Sequence, residues 1–256
     1  MVEDGAISFD RASHYYDSTR ALTAQTMAKA MAQVVPELTG TDCLEIGVGT
    51  GRFALPLHKA GVSMYGLDIS SSMLAKLVDK ADGLPFPLAT ADATALPFRD
   101  AVFQSALAVH VLHLIPNWTG ALDELRRVVA PGGRLVVDPG GWGRGSWKLL
   151  QEIFCDAAGI ARRHPGANDP HEVDEAMVER GTRVRLLEAI VERRKLAYRA
   201  IVKLLEDGMF SFTWRTDQAG RTRGADAIRE YLRSRGQTLD DIMVFELPIV
   251  WRVYEL

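Results

Sequence analysis

Glu45, Gly47, Gly49, Gly51, Asp68, Asp92, His110 and His113 are the residues whose types and spacing can do chemistry. Glycines at alternate positions remove every Cβ along one side of a tight turn, so the backbone can adopt positive φ and lie against a ligand. A dinucleotide fingerprint, G-x-G-x-x-G, would need glycine where Arg52 stands, and a phosphate-binding loop would need Gly-Lys-Ser or Gly-Lys-Thr, which does not follow. Asp68 comes about twenty residues after the turn, where an acid at the end of a second strand holds ribose hydroxyls. Asp68 could also cap the next helix, but Ser70 can do that and leave it free. Asp92, taken alone, reads as a turn former. His110 and His113 follow an apolar run and can exchange a proton near neutral pH, or equally serve as hydrogen-bonded wall residues. The six histidines are scattered and no Cys-x-x-Cys or His-Glu-x-x-His occurs, so no metal site is expected.

The segment Glu45-Ile46-Gly47-Val48-Gly49-Thr50-Gly51, an acid-x-Gly-x-Gly-x-Gly pattern, resembles the first motif of class I S-adenosylmethionine-dependent methyltransferases. Phe9-Asp10-Arg11-Ala12-Ser13-His14-Tyr15-Tyr16-Asp17 is similar, with its spacing shifted by one, to the opening of the ubiquinone/menaquinone-biosynthesis type (methyltransferase type 11). The resemblance covers about residues 9 to 140. It implies S-adenosyl-L-methionine as cofactor, with the glycine turn under the ribose and methionine, Glu45 on the ammonium and Asp68 on the ribose. It also implies Asp92 at the adenine amino group, Ile69, Met73, Ala93 and Val109 as flanking contacts, and Tyr16 folded over the cofactor with Arg20 pairing the methionine carboxylate. Tyr15 and Tyr16 could instead be core aromatics. The segment His110-Val111-Leu112-His113-Leu114 keeps one histidine of the family's turn but has Leu114 at its second acidic or histidine position, so no role passes to that residue.

Methyl transfer from a sulfonium is an in-line displacement that rests largely on positioning and exclusion of water. A proton acceptor is needed only for a weakly acidic hydroxyl, amine or carbon acid, and His110 and His113 are the candidates. Asp138, Trp142 and Trp147 are second candidates, for substrate contact. The expected function is methyl transfer to a small organic acceptor. A nucleic-acid methyltransferase is the alternative, suggested by the basic stretch Arg180 to Lys203, and a non-catalytic binder of the same ligand is a third reading.

The elements that must position these residues alternate. A helix is expected from about Ser18 to Val35, then strands near 42–47, 63–68, 87–91, 102–109 and 133–138, with helices at 51–60, 70–80, 117–129 and 146–161. Strands separated by helices predict an α/β, doubly wound, mostly parallel sheet, where ligands bind beyond the carboxyl ends of the strands. With the resemblance this becomes a seven-stranded Rossmann-like methyltransferase fold with an antiparallel edge and a helical lid or insertion. The expected division is an N-terminal lid at 1–40, a cofactor-binding core at 41–138, a helical insertion over the substrate side at 139–209, and strands completing the sheet at 210–256. Phe210 to Arg215 and Val250 to Tyr254 alternate like late strands, while Glu172 to Arg199 fits helix or strand.

The chain of 256 residues has a net charge of −3, which predicts no general attraction to nucleic acid or anionic membrane. Two cysteines suggest no disulfide framework and hence a reducing compartment. With no basic, apolar leader at Met1-Val2-Glu3-Asp4-Gly5 and no apolar run of membrane-spanning length, a soluble cytoplasmic protein is expected.

Overall fold

Cys43 to Ile46 forms an unbroken buried run, the pattern of a parallel strand covered on both faces, and it becomes the middle one of five parallel strands. The computed structural model describes residues 9–12, 14, 16–140 and 145–256, so the expectations placed on residues 1–5, Tyr15 and Trp142 lie outside the described residues. Contacts divide the described chain into two units, one of 9–140, 165–190 and 249–256, the other of 145–164 and 191–248.

In the larger unit, β1 (Asp42–Ile46), β2 (Ser63–Asp68), β3 (Leu88–Thr90), β4 (Phe103–Val109), β5 (Val129–Asp138), β6 (Arg183–Leu186) and β9 (Arg252–Glu255) form one seven-stranded sheet. The order is β3-β2-β1-β4-β5-β9-β6, with β1 to β5 paired in parallel and β9 antiparallel to both its neighbours. The antiparallel strand thus sits one place in from the edge. The order reverses between β2-β1 and β1-β4, which places the switch point at the carboxyl end of β1.

Alternation along β1 sends Leu44 and Ile46 to one face and Cys43 to the other. The first face packs on α5 (Trp118–Val128), whose Ala121, Leu122, Leu125 and Val128 form a buried stripe at helical spacing. The second packs on α2 (Ala24–Leu38) and α3 (Ala54–Lys59) through Ala30, Val34, Leu38 and Leu57. The helix expected from 18 to 35 is broken into α1 (Tyr16–Arg20) and α2, because Thr23 is extended and its hydroxyl accepts the Thr26 N–H as an N-cap. α4 (Ser71–Ala81) starts on Ser70, whose Oγ accepts the Met73 N–H, and α7 (Pro170–Glu179) starts on Asp169 with Pro170 at its first position.

The smaller unit contains α6 (Ser146–Ala158), α8 (Tyr198–Glu206) and α9 (Gln218–Ser234), with β7 (Ile190–Ala197) and β8 (Ile242–Ile249) in a two-stranded sheet apart from their terminal residues Ile190 and Ile249. Its core includes Phe154, Tyr198, Ile201, Leu205, Ile228 and Phe245. The segment 139–209 is therefore mixed rather than helical, since Arg183–Leu186 finds a partner in β9 and most of Ile190–Ala197 one in β8. Phe210 to Arg215, expected as strand, is a 3₁₀ helix over Ser211–Arg215. The Thr213 N–H and hydroxyl both bond the Phe210 carbonyl, and Trp214 Nε1–H donates to the Gly208 carbonyl at 2.6 Å, which closes the chain into turns.

Candidate functional site

The β1-to-α3 turn has three glycines with positive φ, +62° at Gly47, +56° at Gly49 and +75° at Gly51, and they do different jobs. Gly47 and Gly49 line a cavity at the carboxyl ends of the strands. Gly51 does not line it, and a Cβ there would stand 2.8 Å from Leu55 Cγ and 3.0 Å from Leu77 Cγ, so this position serves helix packing. The turn is closed by Asp68 at the end of β2, whose Oδ2 accepts the Gly49 N–H and whose Oδ1 accepts the Ser70 N–H, each at 2.8 Å. Burial raises the Asp68 pKa against these two bonds, and Asp10 adds to the rise.

Glu45 is 3 % exposed on β1, and its Oε2 has no hydrogen-bond partner. Burial pushes its carboxyl up to about 8, opposed by the charge of Arg52 and reinforced by Asp68. A buried carboxylate oxygen left unsatisfied beside a glycine cradle is a place for a cationic or hydrogen-donating ligand group.

Asp68, Ile69, Met73, Asp92, Ala93, Val109 and His110 all border the cavity, as does Tyr16. Asp92 Oδ1 accepts both the N–H and the hydroxyl of Thr94, so Asp92 shapes a turn while also facing the cavity. Glu45, Arg20 and His113 are not among the lining residues, and Glu45 stands behind the glycine turn, two residues before Gly47. His113 lies on a 3₁₀ helix, Leu112–Leu114, with its carbonyl accepting the Gly166 N–H at 3.0 Å.

The first described residues pack onto the same turn. Asp17 takes the Thr50 hydroxyl at 2.6 Å and Lys80 Nζ at 2.9 Å, Asp10 takes the hydroxyls of Ser70 and Ser72, and Arg52 donates to the Arg20 carbonyl at 3.1 Å. Phe9 and Tyr16 meet edge to face at 5.6 Å, and both line the cavity. Arg52, the residue that breaks the dinucleotide fingerprint, thus ties the glycine turn to α1.

His110 has φ +53°, unusual for a residue with a Cβ, and its ring Nε2 lies 3.0 Å from Asp138 Oδ2. Asp138 is 2 % exposed at the end of β5, and its Oδ1 accepts the Gly140 N–H at 3.1 Å. Burial lowers the His110 pKa and Asp138 opposes this, while the charges of Arg52 and Arg20 lower it further. Sequence reading offered Asp138 as a substrate contact and missed this pairing, which depends on β4 and β5 lying side by side. It also missed the lining made by Phe9 and by Val111, Leu114 and Ile115, the last three signalled by the apolar run after His110. Trp147 belongs to the aromatic core of the smaller unit, against Phe210 and Phe245.

The basic stretch is neutralised within its own unit at each of six positions. Arg180 pairs with Asp123, Arg185 with Glu37, Arg193 with Glu246, Arg194 with Glu192, Arg199 with Asp240 and Lys203 with Asp207. Among the described residues no cluster of His, Cys, Asp or Glu could hold a metal ion.

Residues 44–137 match the family described as methyltransferase domain. A demethylmenaquinone methyltransferase of Streptomyces avermitilis is 32% identical over 136 residues, which is 52% of this chain and 58% of that protein. A phosphatidylethanolamine N-methyltransferase of Cereibacter sphaeroides is 33% identical over 102 residues, 38% of this chain and 50% of its own. The chain thus spans about half the length of the curated relatives it matches. A solved S-adenosylmethionine-dependent methyltransferase from Thermotoga maritima superposes with a TM-score of 0.55 over 97% of this chain and 98% of its own, at 20% identity, a likeness of fold.

Proposed function

We propose that this chain, whose residues 44–137 match the family described as methyltransferase domain, transfers a methyl group from S-adenosylmethionine to a small organic acceptor. The observation that carries the reading is the buried, unpartnered Oε2 of Glu45 beside a glycine turn whose backbone is fastened to Asp68. These residues fit the cofactor. Glu45 would hold its ammonium, Asp68 its ribose and Asp92 its adenine, with Ile69, Met73, Ala93 and Val109 as apolar flanks and Gly47 and Gly49 allowing close approach. When bound, the cofactor supplies an activated methyl on a positive sulfur. The cavity lining includes Asp68 and Asp92 but no lysine or arginine among the described residues, which suits a cation.

Tyr16 and the ties of Asp10, Asp17 and Arg52 support a covering role for the chain before residue 40, which would exclude water. Arg20 acts in this reading through its charge and its carbonyl bond to Arg52. Acceptor selectivity is assigned, from chain order alone, to the segment 139–209 that follows β5.

The two relatives named above carry a quinone and a phospholipid in their names, and a small-molecule acceptor is the reading they support here. The internally paired basic stretch speaks against nucleic acid. No helix of the described residues is long and apolar enough to cross a membrane, and Cys43 and Cys155 are free and buried, which supports a cytoplasmic setting. Isothermal calorimetry with S-adenosylmethionine and S-adenosylhomocysteine tests the proposal. Binding in the micromolar to sub-millimolar range is expected, and its absence overturns the reading. Release of S-adenosylhomocysteine with any acceptor rules out a purely binding role.

A further inference from the structure

We propose that His110 and Asp138 form a proton-accepting dyad, in which Asp138 fixes the imidazole tautomer and His110 Nδ1 takes the proton of a weakly acidic, phenol-type hydroxyl on an apolar acceptor. This rests on the methyltransferase reading above. Asp138 is a positioning residue. Its Oδ1 is held by the Gly140 N–H, so Oδ2 is presented to His110 Nε2 at 3.0 Å, and the His110 N–H in turn bonds the Asp138 carbonyl at 2.8 Å. A carboxylate can only accept here, which puts the neutral ring's hydrogen on Nε2 and leaves a lone pair on Nδ1.

The ring edge with Cδ2 and Nε2 is the one nearest Gly140, within 4 Å of where a Cβ would stand. Nδ1 lies on the other edge and makes no hydrogen bond among the described residues, and His110 borders the cavity. The positive φ of His110 is held by this double tie to Asp138.

The substrate class follows from the surroundings. Val111, Leu114 and Ile115, on the same turn as His110, make the lining there apolar, and none of the described lining residues is a lysine or arginine that could hold an acceptor arriving ionised. A neutral apolar body with one weakly acidic hydroxyl meets both conditions and needs a base. In the step, the acceptor O–H bond breaks with its proton going to Nδ1, the oxygen bonds the methyl carbon, and the carbon–sulfur bond breaks with its electron pair going to sulfur. The imidazolium faces the Asp138 carboxylate and later returns its proton to solvent. The charged groups acting on this ring are Asp138, Arg52 and Arg20; burial and the two arginines lower its pKa and Asp138 opposes them.

Long-range proton–nitrogen NMR of the full chain without cofactor reads the tautomer directly. Wild type at neutral pH is expected to carry hydrogen on Nε2, and Asp138→Asn, whose amide can donate, is expected to shift it to Nδ1. Hydrogen on Nδ1 in wild type overturns the proposal whether or not the variant folds. Transfer to a series of para-substituted phenols is expected to drop about 10²–10⁴-fold in kcat in Asp138→Asn and His110→Gln, with KM changed little and the loss shrinking for nitrophenols already ionised. An equal loss for ionised phenols, or no methylation of any phenol while S-adenosylhomocysteine still binds, overturns it. Loss of S-adenosylhomocysteine binding by wild type would instead defeat the methyltransferase reading and leave the tautomer result standing.

Discussion

Asp68 Oδ2 accepts the backbone N–H of Gly49 at 2.8 Å, so the acid that ends β2 also closes the turn that follows β1. The same carboxylate takes the Ser70 N–H, and a ligand donor would share oxygens that already hold the protein together. Asp68→Ala leaves two N–H groups without their acceptor, at a cost of about 1–3 kcal/mol for each that stays unsatisfied. The expected outcome is a lower melting temperature without ligand together with at least about tenfold weaker S-adenosylhomocysteine binding. Scanning fluorimetry beside calorimetry checks both, and weakened binding at unchanged stability would show that Asp68 serves the ligand alone.

Glu45 should make binding release a proton. Its pKa is pushed from 4.5 up to about 8 by burial, so near pH 7 the free native protein holds the carboxyl protonated. A cation placed at Oε2 favours the ionised form, and about one proton should leave on binding at pH 7. Calorimetry in buffers of different ionisation enthalpy measures it, and Glu45→Gln should abolish the buffer dependence.

Glu45 also sets a stability slope. Between pH 4.5 and about 8 the native state keeps a proton that the unfolded chain has lost, so stability falls as pH rises through that window and levels off above it. Glu45→Gln should remove this fall, with a gain of a few kcal/mol at most above pH 8 and none below pH 4.5. Urea unfolding of both proteins at pH 5, 7 and 9 gives the comparison, and parallel pH profiles would contradict it.

The two cavity glycines should differ in tolerance. A Cβ on Gly47 would lie 2.5 Å from Val111 Cγ2, whereas one on Gly49 would lie 3.2 Å from the flexible Met73 Cε. Both substitutions to alanine carry about 1–2 kcal/mol for left-handed backbone, and Gly47→Ala adds about 1–3 kcal/mol of overpacking. Val111→Ala in the Gly47→Ala background should recover the second part, as measured by denaturant midpoint.

Asp174 is the carboxylate partner of the buried Arg252 and also accepts the Tyr254 hydroxyl at 2.6 Å. Asp174→Ala leaves a buried cation and should cost about 3–5 kcal/mol. Arg252→Met together with Asp174→Ala should recover most of this, and a double variant no more stable than the single one would place the cost elsewhere.

The parallel half of the fold was legible because its signals are local. Buried runs such as Cys43 to Ile46, a capping Ser70 and alternating glycines each specify their own few residues. Asp68 and Asp92 border the cavity, as their places at and just after strand ends led one to expect. The dyad was not, since His110 and Asp138 meet only when β4 and β5 pair in register, Val109 opposite Asp138. Phe210 to Arg215 misled because aromatic alternation fits a strand as well as a turn stacked on an aromatic core, and the Trp214 bond to Gly208 decides between them. Residues 183–197 were ambiguous for a similar reason, their strand partners lying more than forty residues further along the chain.

The placement of β9 has a consequence for the order of assembly. Val137 of β5 pairs with Arg252, and Arg252 pairs on its other side with Leu186 of β6. During synthesis β5 and β6 emerge long before the strand that joins them, so the nascent chain carries an open hydrogen-bonding edge on β5 until residues 252–255 leave the ribosome. Closing that gap is a late, long-range event, and until it happens the β5 edge is open to pairing with the wrong strand.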